Sequence, residues 1–185
     1  MAKVYVMIAD GTEEVECLAV LDILKRAGMD VILVAAKDSK NVITSHHVRI
    51  EADGIAAEID FSDADAIFVP GGMPGSEHLS NCEPLIAALH QADRESRRIA
   101  AICAAPAVVL GRHGFLAGRT ATCYPGFENE LNGAAYTSQG VITDGNITTA
   151  RGVGFAIDLG LELVRLLVDD EAAANIKKQI QHNCI

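Results

Sequence analysis

The sequence predicts a single α/β domain built on a doubly wound, mostly parallel sheet with helices on both faces. Short apolar runs near residues 3–9, 31–36, 66–69 and 99–102 lack regular polar alternation, which is typical of strands buried on both faces. Longer amphipathic segments separate these runs, and this order favours parallel strands joined by crossover helices. Because 185 residues is the length of one domain, we expect that domain to span residues 1–185.

Four segments have the apolar pattern of helices. The first covers residues 14–27, with apolar side chains mostly on one face: Val15, Leu18, Leu21, Ile23 and Leu24. Gly28 stands where a helix C-terminus favours glycine. The second covers residues 84–96, with a face formed by Leu85, Ile86 and Leu89. Residues 155–168 are apolar enough for a core helix, whereas residues 171–182 predict a polar helix with few anchors.

Two further segments predict short β-structure. Residues 141–149 have an Asp-Gly pair between apolar runs, which indicates a hairpin, and residues 42–60 predict a small β excursion. In open parallel sheets, ligands bind beyond the carboxyl ends of the strands. The segments that follow strands in this way are 10–16, 70–77 and 103–106.

Composition limits the chemistry and the partners. The net charge of -10, without a basic stripe, argues against nucleic acid binding. No apolar run approaches the roughly 20 residues that cross a bilayer, and no signal-peptide pattern is present, so we expect a cytoplasmic protein without membrane contact. Five cysteines without framework spacing argue against disulfides. The histidines lack metal-ligand spacing and no complete nucleotide-binding motif occurs, so we expect neither metal nor cofactor.

Cys103 stands where a buried strand ends and a helical pattern begins two residues later. Ala101 and Ala105 flank it at the offsets where a nucleophile elbow needs small residues, and Pro106 suits a first helical turn. A thiol there faces the N-terminus of the next helix, whose dipole stabilises a thiolate. We therefore expect its pKa to fall below the usual value of about 8.5. The alternative is an inert cysteine packed between alanines.

The segments 10–16 and 70–77 supply an acid and backbone hydrogen-bond donors. Glu13 and Glu14 fit the first turn of a helix, where acids complement the dipole. Glu16 faces another direction, and a carboxyl beside a thiol can donate or accept a proton. Glycines in the 70–72 motif allow close backbone approach, and their N–H groups suit an oxyanion hole shared with the N–H of Ala104. A plain turn is the alternative for this motif.

Four stretches together resemble the ThiJ/PfpI superfamily, in the branch of the parkinsonism-associated deglycase and its small bacterial relatives. They are Gly11-Thr12-Glu13-Glu14-Val15-Glu16, Val69-Pro70-Gly71-Gly72, Ala100-Ala101-Ile102-Cys103-Ala104-Ala105-Pro106 and Thr149-Ala150-Arg151-Gly152-Val153-Gly154. Their order and spacing match over nearly the whole chain. The resemblance implies a flavodoxin-like fold and a homodimer with the active site near the subunit interface.

The resemblance also implies roles for individual residues. Cys103 matches the family's nucleophilic, oxidation-prone cysteine, and Glu16 matches the glutamic acid that hydrogen-bonds its thiolate. Gly72 and Ala104 match the backbone donors that face a substrate oxyanion. These matches make Cys103 and Glu16 the expected catalytic pair.

The chain departs from the family pattern at three places. Tyr124, in Thr122-Cys123-Tyr124-Pro125, occupies the place of a histidine. Tyrosine can hydrogen-bond but is a poor base near neutral pH, so we expect Tyr124 to bind substrate, and packing in the core is the alternative. Ala104 replaces the histidine of the peptidase branch, and no H-x-E pair of the glutamine amidotransferases occurs, so both activities are disfavoured. His46, with His47, stands where the animal protein has an arginine; exposed loop histidines are expected there.

Two functions therefore remain for the expected thiolate. The first is an enzyme that acts on small α-oxoaldehydes such as methylglyoxal, or on their early glycation adducts, through a Cys103 hemithioacetal and without glutathione. The second is a redox-responsive stress protein or chaperone whose Cys103 is oxidised to a sulfinate. A thiamine-pathway role is suggested only by the family's older name.

The other cysteines have structural explanations first. We expect Cys17 to be packed, Cys82 to lie near a helix start and Cys184 to be an exposed terminal thiol. For Cys123 a structural role is expected, and a resolving thiol beside Tyr124 is the alternative.

Overall fold

The computed structural model describes residues 1–182. The strands in this part of the chain are, in order, β1 (Lys3–Ile8), β2 (Asp30–Ala35), β3 (Asn41–Ile43), β4 (Arg49–Glu51), β5 (Gly54–Ile55), β6 (Ala66–Val69), β7 (Arg98–Ile102), β8 (Thr120–Ala121), β9 (Ala135–Tyr136), β10 (Val141–Asp144) and β11 (Ile147–Ala150). The α-helices are α1 (Glu14–Arg26), α2 (Gly75–Ser80), α3 (Glu83–Arg94), α4 (Ala156–Leu167) and α5 (Asp170–Gln179). A π-helix over Pro106–Gly111 is called the elbow helix below. Cys184 lies outside the described residues.

Seven strands form one sheet in the order β10-β11-β7-β6-β1-β2-β5. All neighbours are parallel except β10 and β11, which form an antiparallel hairpin at one edge. Because β1, β6, β7 and β11 run in the same direction, their carboxyl ends meet at one edge of the sheet. The predicted doubly wound, flavodoxin-like α/β fold is confirmed, as is the hairpin predicted over residues 141–149.

Two apolar cores lie on opposite faces of this sheet. Successive side chains of a strand point to opposite faces, and β1 shows this directly. Tyr5 and Met7 join the core beneath α2, α3 and the elbow helix, whereas Val4, Val6 and Ile8 join the core beneath α1, α4 and α5. Both faces of the central strands are therefore sealed, and only their ends are available to a ligand.

The helix predicted over residues 14–27 forms, but its buried face is only partly the predicted one. Val15 and Leu18 are 53% and 39% exposed, whereas Cys17 and Val20 are fully buried beside Ile23 and Leu24. The reason is the close packing of α1 on α4. A Cβ placed on Gly160 of α4 would lie 2.9 Å from the Cβ of Ile23, so this face turns inward and Val15 turns outward.

The remaining predicted elements are confirmed with small shifts at their ends. The helices predicted over 84–96, 155–168 and 171–182 are α3, α4 and α5. The excursion predicted over 42–60 contains the β3–β4 hairpin and the short strand β5. Within residues 1–182, no helix combines the length and apolar character needed to cross a bilayer.

Candidate active site

Cys103 occupies the sharp turn between β7 and the elbow helix. Its φ is +65°, a left-handed backbone conformation that non-glycine residues adopt rarely and that often marks a functional site. Backbone hydrogen bonds fix the turn on both sides: the N–H of Cys103 donates to the carbonyl of Ala150 at 2.9 Å, and the N–H of Tyr124 donates to the carbonyl of Cys103 at 2.8 Å. The predicted elbow is present, and the thiol is only partly buried.

Glu16 reaches the same point from the first turn of α1. Its side chain is buried, with 1% of the residue exposed, and one carboxylate oxygen accepts a 3.0 Å hydrogen bond from the N–H of Gly71. The thiol of Cys103 donates a hydrogen bond to the same carboxylate. Glu13 caps the helix by accepting from the N–H of Glu16 at 2.6 Å, which fixes where the Glu16 side chain starts.

The loop after β1 and the loop after β6 cross beside Cys103, and at the crossing they pack too closely for side chains on Gly71 and Gly72. A Cβ on Gly71 would lie 2.6 Å from both the Cβ of Cys103 and a carboxylate oxygen of Glu16. Gly72 has a φ of +92°, and a Cβ there would overlap the backbone of Glu13. Glycine is therefore required at both positions, and the crossing holds the acid against the thiol.

Two backbone donors converge on the sulfur. The N–H groups of Gly72 and Ala104 both donate to Cys103, and both lower the pKa of its thiol. These are the two donors that the sequence predicts for an oxyanion hole. Whether they bind a substrate oxygen stays a prediction.

Burial decides the protonation of the pair. It raises the pKa of Glu16 to about 7, despite the hydrogen bond from Cys103. Burial, together with the charge of Glu16 and its hydrogen bond, raises the pKa of Cys103 to about 12. The expectation of a thiol pKa below 8.5 is therefore wrong. The donors of the elbow act in the predicted direction, but desolvation and a neighbouring carboxylate outweigh them.

Tyr124 lies beside the elbow but is not packed in the core. The residue is 49% exposed, and its ring lies over Gly152, where an added Cβ would be 3.3 Å from the ring carbon Cδ2. Together with Pro125, Arg151 and Phe155, it lines a cleft of about 220 Å³. Its expected role in substrate binding stays a prediction.

Arg151 is the residue of this region to which sequence reasoning assigned no role. It appears in the sequence only as one letter of the Thr149–Gly154 motif. A signal was nevertheless present, because Arg151 directly follows β11, whose carboxyl end lies beside that of β7. A basic side chain at that edge belongs to the part of a parallel sheet where ligands bind.

Three other cysteines lie where the sequence predicts them. Cys17 and Cys123 are fully buried, and Cys82 is the N-cap residue of α3. Burial raises the pKa of Cys123 to about 11. Cys123 packs in the core beneath α3, whereas Cys103 packs against the opposite core, so the structural explanation for Cys123 is favoured over a resolving thiol.

Within residues 1–182, one group of side chains brings metal-ligand atoms together: Glu13, Glu14 and His46. His46 is 70% exposed in its side chain, as expected for a loop histidine, and its Nδ1 lies 3.0 Å from a carboxylate oxygen of Glu14. A cation there would face the positive end of the α1 dipole, which opposes its binding. We assign this cluster the role of pairing the 44–48 loop with the start of α1.

Residues 2–166 match the DJ-1/PfpI family. The chain belongs to this family. Protein DJ-1 homolog B of Arabidopsis thaliana is 38% identical over 175 residues and covers 94% of this chain, which spans 40% of that relative's length. A glutathione-independent glyoxalase of Caenorhabditis elegans is 29% identical over 173 residues, covering 92% of this chain and 91% of that protein.

The family fold is also seen among solved structures. The oxidized form of Toxoplasma gondii DJ-1 superposes with a TM-score of 0.96 at 34% identity, covering 99% of this chain and all of that one. The ThiJ/PfpI resemblance predicted from the four sequence stretches is thereby confirmed.

Proposed function

We propose that the protein converts small α-oxoaldehydes to α-hydroxy acids without glutathione, with Cys103 as nucleophile and Glu16 as acid and base. The observation that carries the proposal is the hydrogen bond between the Cys103 thiol and a buried carboxyl whose pKa is about 7. A group with that pKa is populated in both protonation states at neutral pH, which suits proton transfer in both directions.

In the first step the thiol adds to the aldehyde carbon. Since burial keeps the thiol protonated at neutral pH, the sulfur needs a base, and the Glu16 carboxylate takes its proton as the carbon–sulfur bond forms. The developing oxyanion lies against the N–H groups of Gly72 and Ala104. The proton then passes from Glu16 to that oxygen, and the product is a hemithioacetal on Cys103.

In the second step one proton moves between the two substrate carbons and one between their oxygens. Glu16 removes the proton from the carbon bound to sulfur and returns it to the former ketone carbon. The hemithioacetal hydroxyl gives its proton to the ketone oxygen, so that the first oxygen becomes the thioester carbonyl and the second becomes a hydroxyl. The first carbon is oxidised and the second is reduced, so no external oxidant or reductant is needed. Water then hydrolyses the resulting thioester, releasing the hydroxy acid and restoring the Cys103 thiol.

The relatives support this reaction class. One relative that this chain matches over nearly its full length carries the name glutathione-independent glyoxalase. The chemistry also fits the residue after the cysteine, because Ala104 provides a backbone donor and no histidine for peptide cleavage. We further propose that the protein works in the reducing cytoplasm, where the thiol remains free.

The test is lactate formation from methylglyoxal by the purified protein. We expect the wild type and Cys82→Ala to form lactate, because Cys82 takes no part in the site, and Cys103→Ala to fall to the uncatalysed rate. Equal turnover by wild type and Cys103→Ala would overturn the proposal.

A second candidate function is redox response through the same thiol, favoured by the oxidized state of the Toxoplasma relative. A sulfinate on Cys103 would find donors in Gly72, Ala104 and a protonated Glu16, which stabilises that oxidation state. Mass spectrometry after mild peroxide is expected to show two added oxygens on Cys103 before any appear on half-buried Cys82. Equal oxidation of both would contradict a specific sensor.

We also propose that the protein forms a homodimer through the outward face of α1. Val15 and Leu18 are exposed there, and Val48 is exposed on the loop that pairs with the start of the helix. Exposed apolar groups on one element are typical of a protein–protein contact. Sedimentation velocity distinguishes this dimer from a monomer, and Val15→Asp is expected to dissociate it.

A further inference from the structure

The cleft lined by Tyr124, Arg151 and Phe155 is tied by backbone hydrogen bonds to the turn that holds Cys103. One wall starts at Tyr124, whose N–H donates to the carbonyl of Cys103, and the other follows Ala150, whose carbonyl accepts from the N–H of Cys103. The aromatic rings of Tyr124 and Phe155 line it, and each ring packs over a glycine, Gly152 and Gly140 respectively. The cleft is therefore apolar along these walls, and its lining residue Tyr124 is hydrogen-bonded directly to the reacting turn.

Arg151 is the exception to that apolar lining. Its backbone N–H donates to Gly140, but its guanidinium has no hydrogen bond, ion pair or aromatic contact with any of residues 1–182. Among the lysines and arginines described, every other partly buried one has a partner: Lys3, Lys37, Arg97, Arg98 and Arg119. Arg151 is thus set apart by being both partly buried and unpaired within residues 1–182, in a chain with 25 acidic and 15 basic residues.

We propose that this cleft binds the group on the ketone carbon of the substrate, and that Arg151 selects substrates in which this group ends in a carboxylate. The inference rests on the proposed function, since it names the substrate class of the same thiol. A partly buried arginine that has no acidic partner within residues 1–182 has its donors free for a planar anion, which arginine binds through two parallel hydrogen bonds.

The substrate expected for this subsite is a short acid. The thiol bonds the aldehyde carbon, so the group on the next carbon extends away from the sulfur along the elbow. Two methylenes and a carboxylate reach roughly 5 Å beyond the ketone carbon. The methylenes would lie between the Tyr124 and Phe155 rings, and the carboxylate would meet Arg151. Methylglyoxal, whose group is a single methyl, leaves most of the cleft unused.

The test compares three α-oxoaldehydes that differ only in this group. They are methylglyoxal, 4,5-dioxopentanoate and 2-oxopentanal, which has a methyl in place of the carboxylate. A charge-assisted hydrogen-bond pair predicts a kcat/KM about tenfold or more higher for 4,5-dioxopentanoate than for 2-oxopentanal. Arg151→Gln should bring that ratio near one, and Arg151→Lys should leave it between the two.

Arg94→Gln is the matched control. Arg94 is an exposed arginine at the end of α3, so its replacement makes the same change in net charge without touching the cleft. It should preserve the wild-type ratio, which separates local binding from long-range attraction of an anion. If Arg151→Gln lowered kcat/KM equally for all three substrates, or the wild type showed no preference, the inference would be overturned.

A binding measurement separates this inference from the proposed reaction. The probe is 4-oxopentanoate, which has the ketone and carboxylate but no aldehyde, and binding is followed by NMR in the Cys103→Ala background. Binding that weakens about tenfold or more on adding Arg151→Gln supports the subsite even if methylglyoxal is not turned over. Turnover of methylglyoxal with no Arg151-dependent binding rejects the subsite and leaves the proposed function standing.

Discussion

Two glutamates in the first turn of α1 have opposite protonation behaviour. Glu14 faces the 44–48 loop; burial would raise its pKa, but hydrogen bonds from its own N–H and from side chains of residues 44–46 outweigh this and lower it to about 2. Glu16 faces the thiol and the glycine crossing, where burial dominates and its pKa rises to about 7. Two positions along one helix thus separate a permanent anion from a group that exchanges protons near neutral pH.

This difference shows that the pKa of a buried carboxyl depends on how many hydrogen-bond donors surround it. The residue type and the helix dipole are the same for both groups and do not explain it. Both carboxyls lie at the positive end of the same helix, which favours their ionised forms equally. Glu14 has several donors for its charge, whereas Glu16 has the N–H of Gly71 and a weakly acidic thiol. A carboxyl that is buried with few donors keeps its proton.

Removing each acid in turn gives the largest expected effect. Glu16→Gln keeps the shape and a donor for the sulfur but cannot move a proton, so we expect kcat for methylglyoxal to fall by about 10²–10⁴-fold. Glu14→Gln is the matched control and should stay within a few-fold of wild type, because its carboxyl faces the loop. Similar losses in both variants would show that the first turn acts structurally and not through Glu16.

The pH dependence of the free energy of unfolding should differ between the Glu16 and Glu14 variants, and this is the second-largest expected effect. Between its unfolded pKa of 4.5 and its folded pKa of about 7, Glu16 holds a proton in the native state that the unfolded chain has released. The raised pKa of Glu16 therefore contributes roughly 3 kcal/mol to the free energy of unfolding. This contribution is fully present below pH 4.5 and is lost as the pH rises through 7. Denaturant unfolding at pH 4.5 and pH 8 should show Glu16→Gln gaining about that much relative to wild type. A constant difference between the two proteins would contradict the raised pKa.

Glu14→Gln should show the smallest effect, with the opposite sign. A lowered pKa contributes stability above the unfolded value of 4.5 that is lost as the pH falls through about 2. The variant should therefore be less stable than wild type at pH 7, by less than about 1 kcal/mol because its partner His46 is solvent-exposed. Unfolding measured at pH 7 and pH 3 should show that deficit shrinking with acid, and a deficit that grew would rule out the assignment.

The sequence predicted the main strands and helices, because local apolar patterns distinguish buried strands from amphipathic helices. The apolar runs at 3–9 and 99–102 are β1 and β7, since strands covered on both faces need no polar residues. The prediction of the buried face of α1 was wrong for Val15 and Leu18, because apolar spacing does not indicate which side of a helix packs against its neighbour. That choice is made by Gly160 on α4, far along the chain.

Four residues of the candidate site were predicted to meet, but their electrostatics were not predicted. Cys103, Glu16, Gly72 and Ala104 come together as expected, because each follows or flanks the carboxyl end of a parallel strand. The thiol pKa could not be predicted from the helix dipole alone. It depends on how completely the loops at 10–16 and 70–72 exclude solvent from the sulfur, which is a property of their packing.

The crossing of the two glycine loops has a consequence for the protein during its synthesis. Glu16 and Gly71 are 55 positions apart, and the sulfur lies still later in the chain. In a growing polypeptide, therefore, no thiol has a neighbouring base or backbone donors until the strands that bear these loops have paired. We expect aldehyde chemistry to be absent from nascent chains and to appear with the last stage of folding, so that maturation itself switches the enzyme on.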